Sequence, residues 1–292
     1  MHFGSGEAGK IDSLVVIWPD FTRQVLSSVD IQSHLELTKT NSGPTAALNP
    51  LGTTSKSFNL LPIPHLENNF NDDENEKLIP EKLSREGPAV LYEDLDADGV
   101  KDLLIGGAHG QVTRLLKGKS DGTFDNISVS DFTRDARYED VSAATIDFDG
   151  DGDKDIYLAS GGSIARELDK VLEDRIYLNN GGMDFRRIPL SLPHTNASVV
   201  AVADFDEDGY EDIFVGARSI PGSYGLSPYS FLLTNLKGRG VDIAYQHRFG
   251  MVTDAQWIDF DGDDDQDLIL CGDWMPVTIL KNEGGGKLDF IS

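Results

Sequence analysis

The chain has 292 residues, 39% of them hydrophobic and 26% charged, enough for one large or two modest domains with a substantial core. Fifty acids face 25 Lys and Arg, a formal charge of −25 that argues against nucleic acid and anionic membrane as partners. A single cysteine, Cys271, excludes an intrachain disulfide, and no run of 18 apolar residues marks a transmembrane helix.

From the N-terminus, Met1-His2-Phe3-Gly4-Ser5-Gly6 has neither the basic start nor the apolar stretch of a signal peptide. Leu14 to Trp18 and Leu35 to Leu37 read as strands, giving a small β module over residues 1–40. Residues 41–84 are polar and Pro-containing, with an Asn- and acid-rich run at 68–76, and read as a surface linker. His65 with Glu67 is an isolated pair, more in keeping with a structural role than with metal binding.

A repeat of about 55 residues fills the third region, residues 85–292. Its marker is a nine-residue loop with Asp at positions one, three, five and nine: Asp94, Asp96, Asp98 and Asp102; Asp147, Asp149, Asp151 and Asp155; Asp204, Asp206, Asp208 and Asp212; Asp259, Asp261, Asp263 and Asp267. The first Asp recurs after 53, 57 and 55 residues. An apolar run of strand length precedes each loop (89–91, 143–146, 199–202, 255–258), and another follows it (103–107, 156–158, 213–216, 268–270). A third apolar stretch with a Gly-containing turn comes next, as in Tyr177 to Phe185. Each unit is thus about four antiparallel strands, the size of a β-propeller blade. The expected fold is all-β, four blades forming part of a larger ring. Only Ile164 to Leu172 suggests a helix beside a loop. Cys271 ends the apolar run from Leu268 and is expected to be buried, and Trp18, Trp257 and Trp274 are expected to pack in the core rather than form a sugar platform.

The loop chemistry points to calcium, which takes six to eight oxygen ligands in a flexible geometry. Carboxylates at positions one, three and five converge, and a backbone carbonyl at position seven (Val100, Asp153, Tyr210 or Asp265) adds an oxygen. An EF-hand needs an acid at position twelve, where this chain has Ile105, Leu158, Val215 and Leu270. Instead, the acid at position nine closes the site. Asp and Gly also make ordinary turns, but four sets of clustered carboxylates would store repulsion without a cation. Up to four Ca2+ ions are expected. Zinc is disfavoured because the loops hold no His or Cys. In the fourth loop Asp264 replaces Gly99, Gly152 and Gly209 at position six. If that position needs a positive φ, the strain of ~1–2 kcal/mol makes this the weakest site.

At these residues the chain resembles the FG-GAP/VCBS repeats, the calcium-loop blades also seen in integrin α subunits. The resemblance covers roughly residues 85–292 and implies that the loop aspartates bind calcium. Gly106-Gly107-Ala108 and Gly216-Ala217 look like that family's Gly-Ala-Pro region without its Pro. Phe3 to Asp20, followed by Gln24-Val25-Leu26 and His34 to Leu37, resembles the ASPIC/UnbV module that accompanies such repeats in cartilage-acidic-protein-like and large bacterial surface proteins. The chain therefore looks like an internal piece of a longer protein. No nucleophile elbow, phosphate loop or His-Glu-x-x-His motif is present. The implied function is a non-catalytic, calcium-binding module of the cell surface or extracellular space, adhesive or ligand-binding, with a protein or glycan partner. A polysaccharide-active lyase or hydrolase scaffold, or a structural spacer, are the alternatives.

Overall fold

The structure, a computed structural model, describes residues 10–17, 23–30, 37–39, 64–77, 79–80, 82–162 and 170–291. It divides into two units, residues 1–63 and 64–292. In the first, β1 (Lys10–Ile17) and β2 (Arg23–Asp30) form an antiparallel hairpin in which Ile17 faces Arg23. Of the strand expected at Leu14 to Trp18, Leu14 to Ile17 lie in β1. The one expected at Leu35 to Leu37 does not form at Leu37, which has no regular structure, while Trp18 and Leu35 lie outside the described residues.

The second unit is four antiparallel sheets of four strands, each in sequence order. The first holds β3 (Val90–Glu93), β4 (Asp102–Ile105), β5 (Arg114–Gly118) and β6 (Phe124–Ile127); the second β7 (Asp140–Ile146), β8 (Asp155–Ser160), β9 (Arg175–Asn179) and β10 (Phe185–Arg187). The third holds β11 (Asn196–Ala203), β12 (Asp212–Ser219), β13 (Ser230–Asn235) and β14 (Val241–His247); the fourth β15 (Met251–Ile258), β16 (Asp267–Asp273), β17 (Thr278–Asn282) and β18 (Leu288–Ile291). Each Asp-rich loop joins the first strand of a sheet to the second. The apolar runs expected on either side of it become those two strands.

Three apolar cores fill the spaces between successive sheets. Leu91, Leu104, Leu115, Ile156, Leu158 and Tyr177 pack between the first and second. Tyr157, Ala159, Val200, Ile213, Val215 and Leu233 pack between the second and third. Phe214, Leu232, Val252, Leu268, Leu270 and Leu280 pack between the third and fourth. Strands β8 and β12 are consequently buried at every residue, because their sheets are covered on both faces. Gly216 lets neighbouring first strands approach: a Cβ there would meet Val199 of β11 and Val252 of β15 at 2.6 and 2.8 Å. Helix α1 (Asp72–Asn75) precedes the sheets and α2 (Ser130–Arg134) follows the first, where the Phe132 ring meets Tyr177 edge-on at 4.8 Å between centroids.

Several expectations change. Cys271 is exposed. It pairs with Asp254 beside a register shift between β15 and β16 of the fourth sheet. Trp274 is 72% exposed at the turn after β16, its ring edge-on to Tyr224, so it is not a core residue. Trp257 does pack inward, stacked on Phe205 at 5.8 Å. The segment read as a linker joins the second unit from Pro64 onward. There Asp72 is buried and accepts a hydrogen bond from the Ser84 hydroxyl at 2.5 Å, and Asn68 donates to Glu139 at 3.1 Å. Some of its polar residues thus make bonds within the fold. Of the helix expected at Ile164 to Leu172, residues 163–169 lie outside the described set, and Lys170–Leu172 is a 3-10 turn. Among the described residues no helix is long and apolar enough to cross a membrane.

Candidate metal centres

Position one organises each loop from within. The Asp94 carboxylate accepts hydrogen bonds from the backbone N–H of Asp98 at 3.2 Å and Gly99 at 2.9 Å. Asp204 does the same with Asp208 and Gly209, at 3.0 and 2.9 Å. Asp147 takes Gly150 and Gly152, and Asp259 takes Gly262, Asp263 and Asp264. The position-five carboxylate then accepts the N–H of position seven: Val100 to Asp98, Asp153 to Asp151, Tyr210 to Asp208 and Asp265 to Asp263, all at 2.9–3.1 Å.

The backbone turns twice through the left-handed region. Position six has φ of +86° at Gly99, +91° at Gly152, +89° at Gly209 and +73° at Asp264. Position four is left-handed too, at +56° for Ala97, +76° for Gly150, +59° for Glu207 and +84° for Gly262. This second turn escapes sequence reading because Ala97 and Glu207 are not turn residues. It also removes the reason for ranking the fourth loop weakest: three loops each hold one non-glycine residue at positive φ, and only the second has glycine at both places.

Position nine is a tie between strands. Asp102, Asp155, Asp212 and Asp267 are buried at the start of the second strand. In three of them Oδ2 accepts the N–H of position two (Leu95, Phe148 or Phe260) at 2.9 Å. In all four Oδ1 accepts an N–H from the end of the third strand: Gly118, Asn179, Asn235 or Asn282, at 2.7–2.8 Å. The asparagines, missed in the sequence, carry the contact onward. Asn179 Nδ2 donates to Leu95 O at 2.8 Å, Asn235 to Phe148 O at 2.8 Å and Asn282 to Phe205 O at 2.7 Å, each reaching the loop of the preceding sheet. Their common place before the hairpin turn was the available signal.

Four groups of carboxylate oxygens come within 4.8 Å of one another: Asp94, Asp96 and Asp102; Asp147, Asp149 and Asp155; Asp204, Asp206 and Asp208; Asp259, Asp261 and Asp263. Positions one and three thus converge everywhere, joined by position nine in two loops and position five in the others. Asp98, Asp151, Asp212 and Asp267 fall outside these groups. The His65–Glu67 pair makes one bond at 2.9 Å and belongs to no such group. The donor set is all oxygen, which suits a hard cation such as calcium. Asp96, 7% exposed, also keeps a buried Oδ1 without a hydrogen-bond partner, as a ligand oxygen would.

Burial raises Asp155 and Asp212 to about 7, and burial also lifts Asp102, Asp149 and Asp206, with neighbouring carboxylates adding to it. Asp98 and Asp261 move the other way because Lys117 and Lys281 donate hydrogen bonds to them.

Acid-lined loops, each joining the first and second strands of a four-stranded antiparallel sheet, define a repeat protein with one candidate metal centre per sheet. The FG-GAP-like repeat family matches residues 94–158 and 147–215, and the ASPIC and UnbV family matches residues 1–44. The matches fall on the first three Asp-rich loops and on the N-terminal segment, where the motifs led one to expect these two families; the fourth loop, at 259–267, lies beyond them. No curated protein matches it. Among solved structures, the crystal structure of the V. cholerae biofilm matrix protein Bap1 is similar at 19% identity with a TM-score of 0.36. That match covers 69% of this chain and spans 30% of the Bap1 chain.

Proposed function

We propose that this chain is a calcium-binding, extracellular β-propeller module, an arc of four blades that binds a protein or glycan ligand without catalysing a reaction. The convergence of carboxylates at the same place in four sheets carries this reading. Each loop would hold its ion through the acids at positions one and three, with position five or nine and the position-seven carbonyl completing the shell. The ion neutralises carboxylates that burial and crowding otherwise hold together at a cost in free energy. Millimolar calcium is an extracellular condition, which accords with a surface role. An acid-rich exterior suits solubility and disfavours nucleic acid.

Ions that bind only the folded state stabilise it, by ~2.7 kcal/mol per site at a hundredfold excess over Kd. Adding millimolar calcium to chelated protein should therefore raise Tm by many degrees, and chelator should reverse it. An identical melting curve with and without calcium refutes the reading.

A further inference from the structure

The four loops differ in what neutralises them. The residue just before the third-strand tie at Gly118, Asn179, Asn235 or Asn282 is Lys117, Leu178, Thr234 or Lys281. In the first and fourth sheets its ammonium lies over the loop. Lys117 Nζ pairs with Asp96 and sits 3.0 Å from Asp98, while Lys281 Nζ sits 2.8 Å from Asp261 and 3.6 Å from Asp263. These are the position-three and position-five carboxylates. Among the described residues the third loop meets only Lys237, a half-exposed residue from the following turn, 3.3 Å from Asp208 alone. Among the described residues, no ammonium pairs with Asp147, Asp149 or Asp151, and the nearby Lys154 turns to Glu93 instead.

We infer that Lys117 and Lys281 are tethered counterions that compete with the divalent ion, dividing the loops into two metal-demanding sites, the second and third, and two weak, lysine-neutralised ones. The inference rests on the calcium reading above. A lysine held in place by its own strand is always at hand, so an incoming ion must displace it from the same oxygens. The displaced ammonium then remains tethered near a doubly charged ion, whose repulsion it feels. Leu178 and Thr234 impose neither penalty. Conversely, without metal the first and fourth loops keep a positive charge among their acids, whereas among the described residues the second has none and the third has only the half-exposed Lys237 at Asp208.

Calcium titration calorimetry on the full chain, beside Lys117→Met, Lys281→Met and the double variant, tests this. The parent should show a tight and a weak class of sites, and each substitution should tighten one weak site by about tenfold or more. Asp149→Asn should remove a tight site and Asp261→Asn should not. Equal affinities at all four loops, unmoved by either lysine substitution, overturn the inference while leaving calcium binding intact. Absence of binding at every loop, with or without the lysines, overturns the calcium reading itself. The counterion role is then decided by melting in chelator: Lys117→Met and Lys281→Met should lower Tm, and the exposed control Lys287→Met should not. Unchanged Tm in both variants refutes it.

Discussion

At the scale of single residues, Glu139 shows what burial with only one oxygen partnered does to a carboxyl group. It is 4% exposed, its Oε1 has no hydrogen-bond partner, and Asn68 serves only its Oε2. Burial, then the charges of Glu67 and Glu86, push its pKa up to about 8. The folded chain therefore holds a proton that the unfolded chain releases near pH 4.5. Its contribution to stability is complete below that value and is lost as pH rises through about 8. Glu139→Gln keeps the shape and removes the ionisation. It should leave Tm nearly unchanged at pH 5 and raise it at pH 9, and a variant that melts like the parent at pH 9 would contradict the assignment. None of this is visible in the sequence, where Glu139 is one acid among fifty.

At the scale of the loop, glycine placement sets the backbone strain. Ala97 and Glu207 at position four and Asp264 at position six each adopt positive φ, at a cost of ~1–2 kcal/mol for an ordinary residue and less for Asp. Position six meets no obstacle: a Cβ at Gly99, Gly152 or Gly209 finds nothing within 4 Å. The strain is thus a matter of φ alone. Ala97→Gly and Glu207→Gly should each stabilise the chelated protein by up to about 1 kcal/mol in urea unfolding, after the entropy lost by adding glycine. Asp264→Gly should give a smaller gain. A gain at Asp264 alone would restore the ranking that sequence suggests. The sixteen aspartates, the strand pairs around them and the positive φ at position six were legible because they recur with a fixed local spacing. The asparagine ties were not, because they lie 15 to 24 residues beyond the position-nine acid and shift with hairpin length. Exposure of Cys271 and Trp274 was equally hidden, since an apolar run does not say which sheet lacks a neighbour.

At the scale of the whole repeat unit, the two terminal sheets are unlike the inner pair. Val90 and Tyr92 on β3 are 59% and 56% exposed, and at the last sheet Ile258, which ends β15, and Phe260, in the loop after it, are 43% and 53% exposed. Strands β8 and β12, between them, expose nothing. Exposed apolar side chains of this kind favour association. Sedimentation velocity across a concentration series should show reversible self-association, weakened by Tyr92→Lys or Ile258→Lys. A compact monomer at every concentration would count against an open arc.

The asparagine ties also have a mechanical meaning. Each of the last three sheets is buttoned to the acid loop before it, by Asn179 to Leu95, Asn235 to Phe148 and Asn282 to Phe205. A load applied along the chain would thus meet a row of similar fasteners rather than one shared core. Such a chain yields in steps, one sheet at a time, and each step dissipates energy before the next is strained. If the loops grip calcium, the ion concentration outside the cell sets how firmly every button holds.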